Sequence, residues 1–233
     1  RLRAYRTQLQ NLTLKTELKD ASKIDEVIDK LNNVKKLEDL KPSIALEKYI
    51  TMALNIINDA KDIKANSKVG DDNEFIFTAP ANQPDIECYY DSFSSICEVT
   101  MLTGRDQWHN EGQPVMRHFR DFEKNSEQDD NYCLFVAPKI HRDTINTYWT
   151  SVKYEYEGNK QKIVPFTIDQ IIGILGTIKE IKISNQTFSH LQFKQLLDGI
   201  IDLTGGAKNS DDWLRQIPEC IENWKSGIIE NAA

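Results

Sequence analysis

The spacing of apolar positions changes character along the chain, and those changes outline its elements. From Ala4 to about Lys64 apolar residues recur at helical intervals: Leu9, Leu12, Leu14 and Leu18, then Ile24, Val27, Ile28, Leu31 and Val34. The stretch contains no glycine, and Pro42 is its only proline. Asp20-Ala21-Ser22 and Lys41-Pro42-Ser43 supply helix-starting turns, with Ser43 as the candidate N-cap of the second. The helix beyond Ser43 carries Ile44, Leu46, Ile50, Leu54 and Ile57. Glu47 precedes Ile50 by three residues and Leu54 by seven, so it projects from the apolar face. A carboxylate there is costly to bury alone. It stands at the edge of the stripe or points at something positive.

Ala65 to Asn73 is polar and glycine-containing, as a loop would be. The period then shortens to that of strands. Glu74–Thr78 is a short strand candidate, followed by Pro80 and Pro84. Asp85–Tyr90 and Ser95–Met101 form two strands, and Asp91–Ser94 between them is a hairpin-sized connection. Gly104–Gln113 is expected to be irregular, with Pro114 in the first turn of a helix running to about Asn125. Tyr132–Ala137 is an almost unbroken apolar run, the mark of a strand buried on both faces. A helix over Thr144–Lys153, a strand over Lys162–Phe166 and a helix opening at Thr167 follow. Two more helices, near Phe193–Leu203 and Asp212–Glu222, complete the chain. The predicted class is α/β: a helical arm over 1–40, then a domain over 41–233 with a central mixed sheet, flanking helices and a helical tail.

Composition narrows the function less than the pattern does. The chain has 233 residues, 29 Lys plus Arg against 36 Asp plus Glu, and a formal charge of −7. Its 39% hydrophobic residues suffice for one sizeable core or two small ones. Ten Gly and seven Pro exclude a collagen-like chain. No apolar run approaches the roughly 20 residues that span a bilayer, which excludes a membrane partner of that kind. The acid excess argues, at first sight, against a nucleic-acid partner. Cys88, Cys97, Cys133 and Cys220 show no C-x-x-C and no zinc-ligand spacing, so reduced thiols in a cytoplasmic protein are expected. Cys88 and Cys97 could also face each other across the hairpin. The chain starts Arg1-Leu2-Arg3, without an initiator Met or a cleavable signal, and is expected to be a fragment or processed product.

Chemistry concentrates between Asp85 and His118. Asp85 opens one hairpin strand and Glu98 lies late on its partner, so a short connection brings them to the same end of the pair. Glu98 and Thr100 share one strand face, and Cys97, Val99 and Met101 take the other. Two carboxylates held close repel unless one is protonated or a cation lies between them. Oxygen donors of this kind favour Mg²⁺ or Mn²⁺ over zinc. If the Pro114 helix extends back to Glu111, then Glu111, Val115, His118 and Phe122 fall on one face. Taken singly, Glu111 has an ordinary reading as a solvated loop acid and His118 as a satisfied, half-buried histidine.

Pro84-Asp85 followed by Glu98-Val99-Thr100 resembles the metal-binding motif of the PD-(D/E)xK nuclease superfamily, with Thr100 where the lysine usually stands. Met101–Gly104, Gln113–Phe119, Leu134–Pro138 and Val164–Thr167 extend the likeness over roughly residues 40–205. They are similar to the cleavage domains of type IIS restriction endonucleases. Within that group they resemble the strand-nicking large subunits of the PleI, MlyI and BstNBI kind, with FokI more distant. The resemblance implies a restriction-endonuclease-like fold in a bacterial cytoplasmic enzyme that hydrolyses one strand of double-stranded DNA with Mg²⁺, or Mn²⁺ as a substitute. It implies metal binding by Asp85, Glu98 and the Val99 carbonyl, with Glu47, Glu111 and His118 completing the active centre. It also implies sequence recognition by an attached N-terminal domain outside this chain, and a small catalytic subunit for cutting the second strand. Either His118 or a second metal held by Glu111 is expected to replace the motif lysine, with Lys139 as a rival. Arg105, Arg117, Arg120, Lys139 and Arg142 are candidates for contacts to neighbouring phosphates. The competing reading is a catalytically silent, nuclease-like module that mediates subunit contacts, and Thr100 is its main support.

Overall fold

The computed structural model describes residue 5 and residues 21–57, 60–66, 68–69, 75–76 and 83–230. The leucines at 9, 12, 14 and 18 and most of the expected strand over 74–78 lie outside the described residues. Helix α1 spans Ala21–Asn32 and α2 spans Pro42–Ile57. Pro42 occupies the first helical position, where its missing N–H costs nothing, so Ser43 lies inside the first turn and not at the cap. Ile24, Val27, Leu31 and Val34 join the same buried cluster as Ile86 and Phe135 of the sheet. The expected arm-to-domain boundary at residue 40 therefore does not separate packing units among the described residues.

Strand β1 covers Asp62–Ala65, β2 Lys68–Val69, β3 Phe75–Ile76, β4 Ile86–Tyr89 and β5 Ser94–Val99. Helix α3 follows over Gly104–Asn125, then β6 over Asn131–Ala137, α4 over Arg142–Lys153 and β7 over Ile163–Thr167. Helices α5 (Ile168–Ile183), α6 (His190–Gly206) and α7 (Ser210–Glu230) close the described chain. The main sheet is mixed, in the order β1-β4-β5-β6-β7, and β2 pairs β3 separately. The pairings β1–β4 and β4–β5 are antiparallel, whereas β5–β6 and β6–β7 are parallel. Helices α3 and α4 provide the long connections that parallel neighbours require. Every residue of β6 is buried, as its apolar run predicts. Pro165 is confined to β7, at the sheet's end, where a missing N–H is tolerated. Thr167 caps α5 through a capping box with Gln170. No helix among the described residues is long and apolar enough to cross a membrane.

Several expectations are corrected. Helicity does not reach Lys64: α2 ends at Ile57, and residues 62–65 form an edge strand that buries Ile63 and Ala65 against β4. Four residues carry too short an alternation to signal a strand alone, and the neighbouring strand decides the conformation. Gly104–Gln113 is not irregular but forms the first half of α3, with Pro114 inside the helix. A proline there removes one helical hydrogen bond, and tertiary contacts hold the turn nevertheless. The fully buried Gln107 donates to the Leu102 and Lys139 carbonyls at 2.9 Å and accepts the His141 N–H at 2.8 Å. Tyr148 donates to the Glu111 carbonyl at 3.0 Å. The four cysteines are free thiols. Cys88 stands opposite Ser95 and Cys97 opposite Ile86, so the two are not cross-strand partners.

Arg120 also departs from expectation. It is buried, not on the rim, and donates to Glu123 at 2.7 Å and to the Tyr156 and Asn159 carbonyls at 2.5 and 2.9 Å. It ties α3 to the turn before β7. Arg120→Ala would leave those carbonyls and a half-buried carboxylate without their donor, at a cost of about 3 kcal/mol. Urea unfolding should show a correspondingly lower midpoint with an unchanged slope; a midpoint equal to the parent's would contradict this role.

Candidate active site

The β4–β5 register places Ile86 opposite Cys97, so Asp85 and Glu98 flank the last pair at one end of the hairpin. Asp85 is pinned there because its Oδ2 accepts the Val99 N–H at 2.8 Å. Glu98 faces inward and is only 5% exposed. Helix α2 packs against β5 and delivers Glu47, also 5% exposed, from its apolar face. The helix-face argument for Glu47 thus leads to the interior. Its Oε1 is buried and has no hydrogen-bond partner.

Helix α3 supplies the other wall. Because it starts well before Pro114, Glu111 and His118 share a helical face two turns apart. His118 Nδ1 lies 2.9 Å from Glu98 Oε1. The Thr100 hydroxyl accepts the Leu102 N–H at 3.1 Å and lies close enough to Glu111 to help lower its pKa. Thr100 therefore stands beside the second acid of the site.

The electrostatics show how closely these groups act on one another. Burial pushes Asp85 up to about 8, repulsion from Glu98 and Glu111 adds to it, and the Val99 N–H and His118 oppose it. Burial, then Asp85, raises Glu47 to about 8. Burial, then Glu111 and Glu47, hold Glu98 well above the usual carboxylate range, against the Asp85 N–H. Burial raises Glu111, while Thr100 and His118 pull it down. Burial, then Arg117, lowers His118, against the pull of Asp85, Asp121 and Glu111. Each carboxylate is harder to ionise here than in water, Glu111 through burial alone and the other three through burial and their neighbours together.

Such a pocket suits a hard divalent cation. Its donors are carboxylate oxygens, the Val99 carbonyl ends β5 beside Glu98, and the unpartnered Glu47 oxygen is an acceptor with no donor. Among the described residues no three Asp, Glu, His or Cys side chains already form a cage. A cation that takes only one or two carboxylates and keeps several waters, as Mg²⁺ does, requires none. Asp85, Glu98 and the Val99 carbonyl could hold such an ion.

Lys139 does not join this set. It is exposed, and it is not among the charges acting on the four carboxylates. Arg105 and Arg117 are exposed on α3, and Arg142 is exposed at the start of α4, 3.8 Å from Asp143. Gln107 went unrecognised in the sequence, although it fixes the two loops that bear Gly104 and Lys139. Its partners are backbone groups far along the chain, so no local pattern could have flagged it.

A mixed five-stranded sheet with inserted helices and an acidic cluster at one end of its hairpin is the architecture of a restriction-endonuclease-fold nuclease. The small subunit R.BspD6I2 of the heterodimeric restriction endonuclease R.BspD6I shares this fold with a TM-score of 0.67 at 20% identity. The match covers 87% of this chain and 98% of that one. Residues 2–174 match the AlwI restriction endonuclease family, and the chain belongs to that family. No curated protein sequence matches it.

The raised acids predict a pH dependence. Folded Asp85 and Glu47 titrate at about 8, against ordinary values of 3.8 and 4.5. The folded state therefore binds the extra protons, and the stability they contribute is complete below about pH 4 and lost as the pH rises through about 8. In EDTA, the melting temperature should fall between pH 5 and pH 8.5, Mg²⁺ should restore it most at the alkaline end, and Glu47→Gln should flatten the slope. A flat metal-free profile in the parent would refute the assignment.

Proposed function

We propose that the chain is the catalytic domain of a Mg²⁺-dependent endonuclease that hydrolyses a phosphodiester in one strand of double-stranded DNA. The observation that carries this is the convergence of Asp85, Glu98, Glu111, Glu47 and His118 in one desolvated pocket. Asp85, Glu98 and the Val99 carbonyl would hold a Mg²⁺ ion, whose charge would offset that of the phosphate and make a bound water more acidic. His118 has Nδ1 engaged by Glu98, which leaves Nε2 for the proton of the attacking water. Its lowered pKa keeps the ring neutral near pH 7, so it can accept that proton. Glu111, beside Thr100, orients the water or a second cation. In-line attack leaves a 5′-phosphate and a 3′-hydroxyl. Arg105, Arg117, Lys139 and Arg142 flank the pocket in sequence and supply the rim for neighbouring phosphates.

One such centre cuts one strand. The likeness to a small subunit over nearly all of that chain's length supports a protein that works beside a partner. That partner, or a recognition domain joined to this chain, reads the DNA sequence. A type IIS nicking enzyme of the kind the sequence resembles fits this arrangement, in the bacterial cytoplasm. A silent module is the poorer reading. Thr100 is its main support, and Thr100 has a place in the site.

The test is metal-dependent conversion of supercoiled plasmid to open circles. Asp85→Ala and Glu98→Ala should each lower the rate by about 10³-fold, the scale of losing a group that stabilises charge in the transition state. His118→Ala should lose about 10²-fold or more. Nicking that persists in both carboxylate variants overturns the assignment, and a His118 variant at parental rate removes the proton-transfer role alone.

A further inference from the structure

A trough of about 570 Å³ borders the acidic site and shares one residue with it, His118. Pro84, the chain neighbour of Asp85, also lines it. One wall is the sheet surface of β4 with Tyr89, flanked by Lys61 and Lys64 of the β1 region; the other is the C-terminal half of α3 with Phe122 and Asn125, continued by Gln128. The Tyr89 and Phe122 rings are 6.1 Å apart and tilted by 46°. The Lys64 ammonium lies 4.6 Å from the centre of the Tyr89 ring and 3.9 Å from the Asp62 carboxylate, on an exposed stem.

We infer that this trough takes one unstacked nucleobase of the strand being cut, next to the scissile phosphate; the inference rests on the nuclease reading given above. Three features support a base and not a length of backbone. The trough shares His118 with the acidic site, so a nucleotide next to the scissile phosphate lies within its reach. A base that leaves the stack there needs a surface to lie on. The trough also has the dimensions of small-ligand pockets, about 300–1,000 Å³. Its two aromatic rings offer flat apolar surface, the kind on which bases of any sequence stack.

The charge pattern in the trough points the same way. Glu87 accepts from Tyr89 at 2.6 Å and from Asn66 at 3.0 Å, so it stays anchored to the sheet wall. Asp121 on the helix wall would repel a phosphate but can accept from an exocyclic amine. The amides of Asn125 and Gln128 can meet the polar edge of a base. Lys61 and Lys64 lie on the opposite wall, where a phosphate following the base would pass. Lys61 pairs with Asp91 at 2.5 Å and Lys64 more loosely with Asp62 at 3.9 Å, all on exposed side chains; Lys64 lies over the Tyr89 ring and is therefore the lysine nearer a stacked base.

The test uses the full chain and a short single-stranded oligonucleotide carrying one 2-aminopurine, titrated in EDTA so that nothing is cut. Stacking on Tyr89 and Phe122 should quench the 2-aminopurine. Tyr89→Leu and Lys64→Ala should weaken Kd by about tenfold, given what one base–aromatic stack or one phosphate contact contributes. Tyr89→Phe keeps the ring, loses only the bond to Glu87, and should bind like the parent. Lys64 is exposed, so its variant tests the trough even if a Tyr89 variant folds poorly. Plasmid nicking by the same variants should show a raised KM with kcat unchanged. A parent that gives no quenching, or quenching and Kd equal in all variants, overturns the inference; a trough that instead seats a segment of a partner protein gives this result. Nicking without Tyr89 dependence would leave the nuclease reading standing and the trough refuted. Tyr89-dependent quenching in a chain that never nicks would do the reverse.

Discussion

Everything distinctive in this molecule depends on the antiparallel pairing of β4 with β5. The pairing puts Asp85 and Glu98 at one end of a short hairpin and locks Asp85 in place through the Val99 N–H. Left to themselves, these carboxylates would separate, since like charges in a dehydrated pocket repel strongly. The sheet does not allow it. A one-residue slip would turn Ile86, Cys88, Ile96 and Cys97 out of register with their buried surroundings. Each fully buried apolar side chain is worth about 1.5–3 kcal/mol. The hydrophobic core therefore fixes the register, and the register imposes the acid cluster. The free energy of folding is stored in part as a demand for positive charge.

How much of this was legible in the sequence depended on how far each feature reaches along the chain. Asp85 and Glu98 could be placed because a hairpin is local: the connection length fixes which ends meet. The apolar run of β6 and the inward position of Glu47 were readable for the same reason, since periodicity is a property of one element. The features that were missed have distant determinants. Strand β1 exists because β4 offers an edge, and nothing within Asp62–Ala65 outweighs the helical pattern before it. The first half of α3 survives Pro114 because Gln107 bonds to the Lys139 carbonyl and the His141 N–H, and Tyr148 of α4 donates to the Glu111 carbonyl. Arg120 reads as one more basic residue near a nucleic-acid site, yet it is consumed by carbonyls at Tyr156 and Asn159. The division at residue 40 followed a change in motif content, while the packing of Ile24 and Leu31 ignores it.

The net charge of −7 gave the wrong first impression for a related reason. A sum over the chain cannot distinguish acids facing water from acids gathered in one pocket. Acids gathered in one pocket leave the rest of the surface free to present positive charge, and a divalent ion bound among them would neutralise them locally. Away from the pocket, Arg105, Arg117, Lys139 and Arg142 provide exposed positive charge on α3 and around the start of α4. A catalytic domain arranged in this way needs little affinity of its own if a partner or a linked domain holds the DNA.

The threonine at position 100 sharpens that dependence. A lysine there would place one fixed positive charge among the carboxylates, lower their pKa values and help hold the attacking water. Thr100 does neither. It carries no charge, so no fixed cation at that position offsets the acids and they stay difficult to ionise. Neutralisation must then come from what binds there: protons below about pH 8, or a cation. The same substitution leaves the water without an ammonium beside it, and His118, held by Glu98 at 2.9 Å, is the one basic side chain bonded into the cluster among the described residues. Replacing a permanent charge by a hydroxyl and an imidazole therefore leaves the charge of the pocket to be set by whatever binds there, protons included.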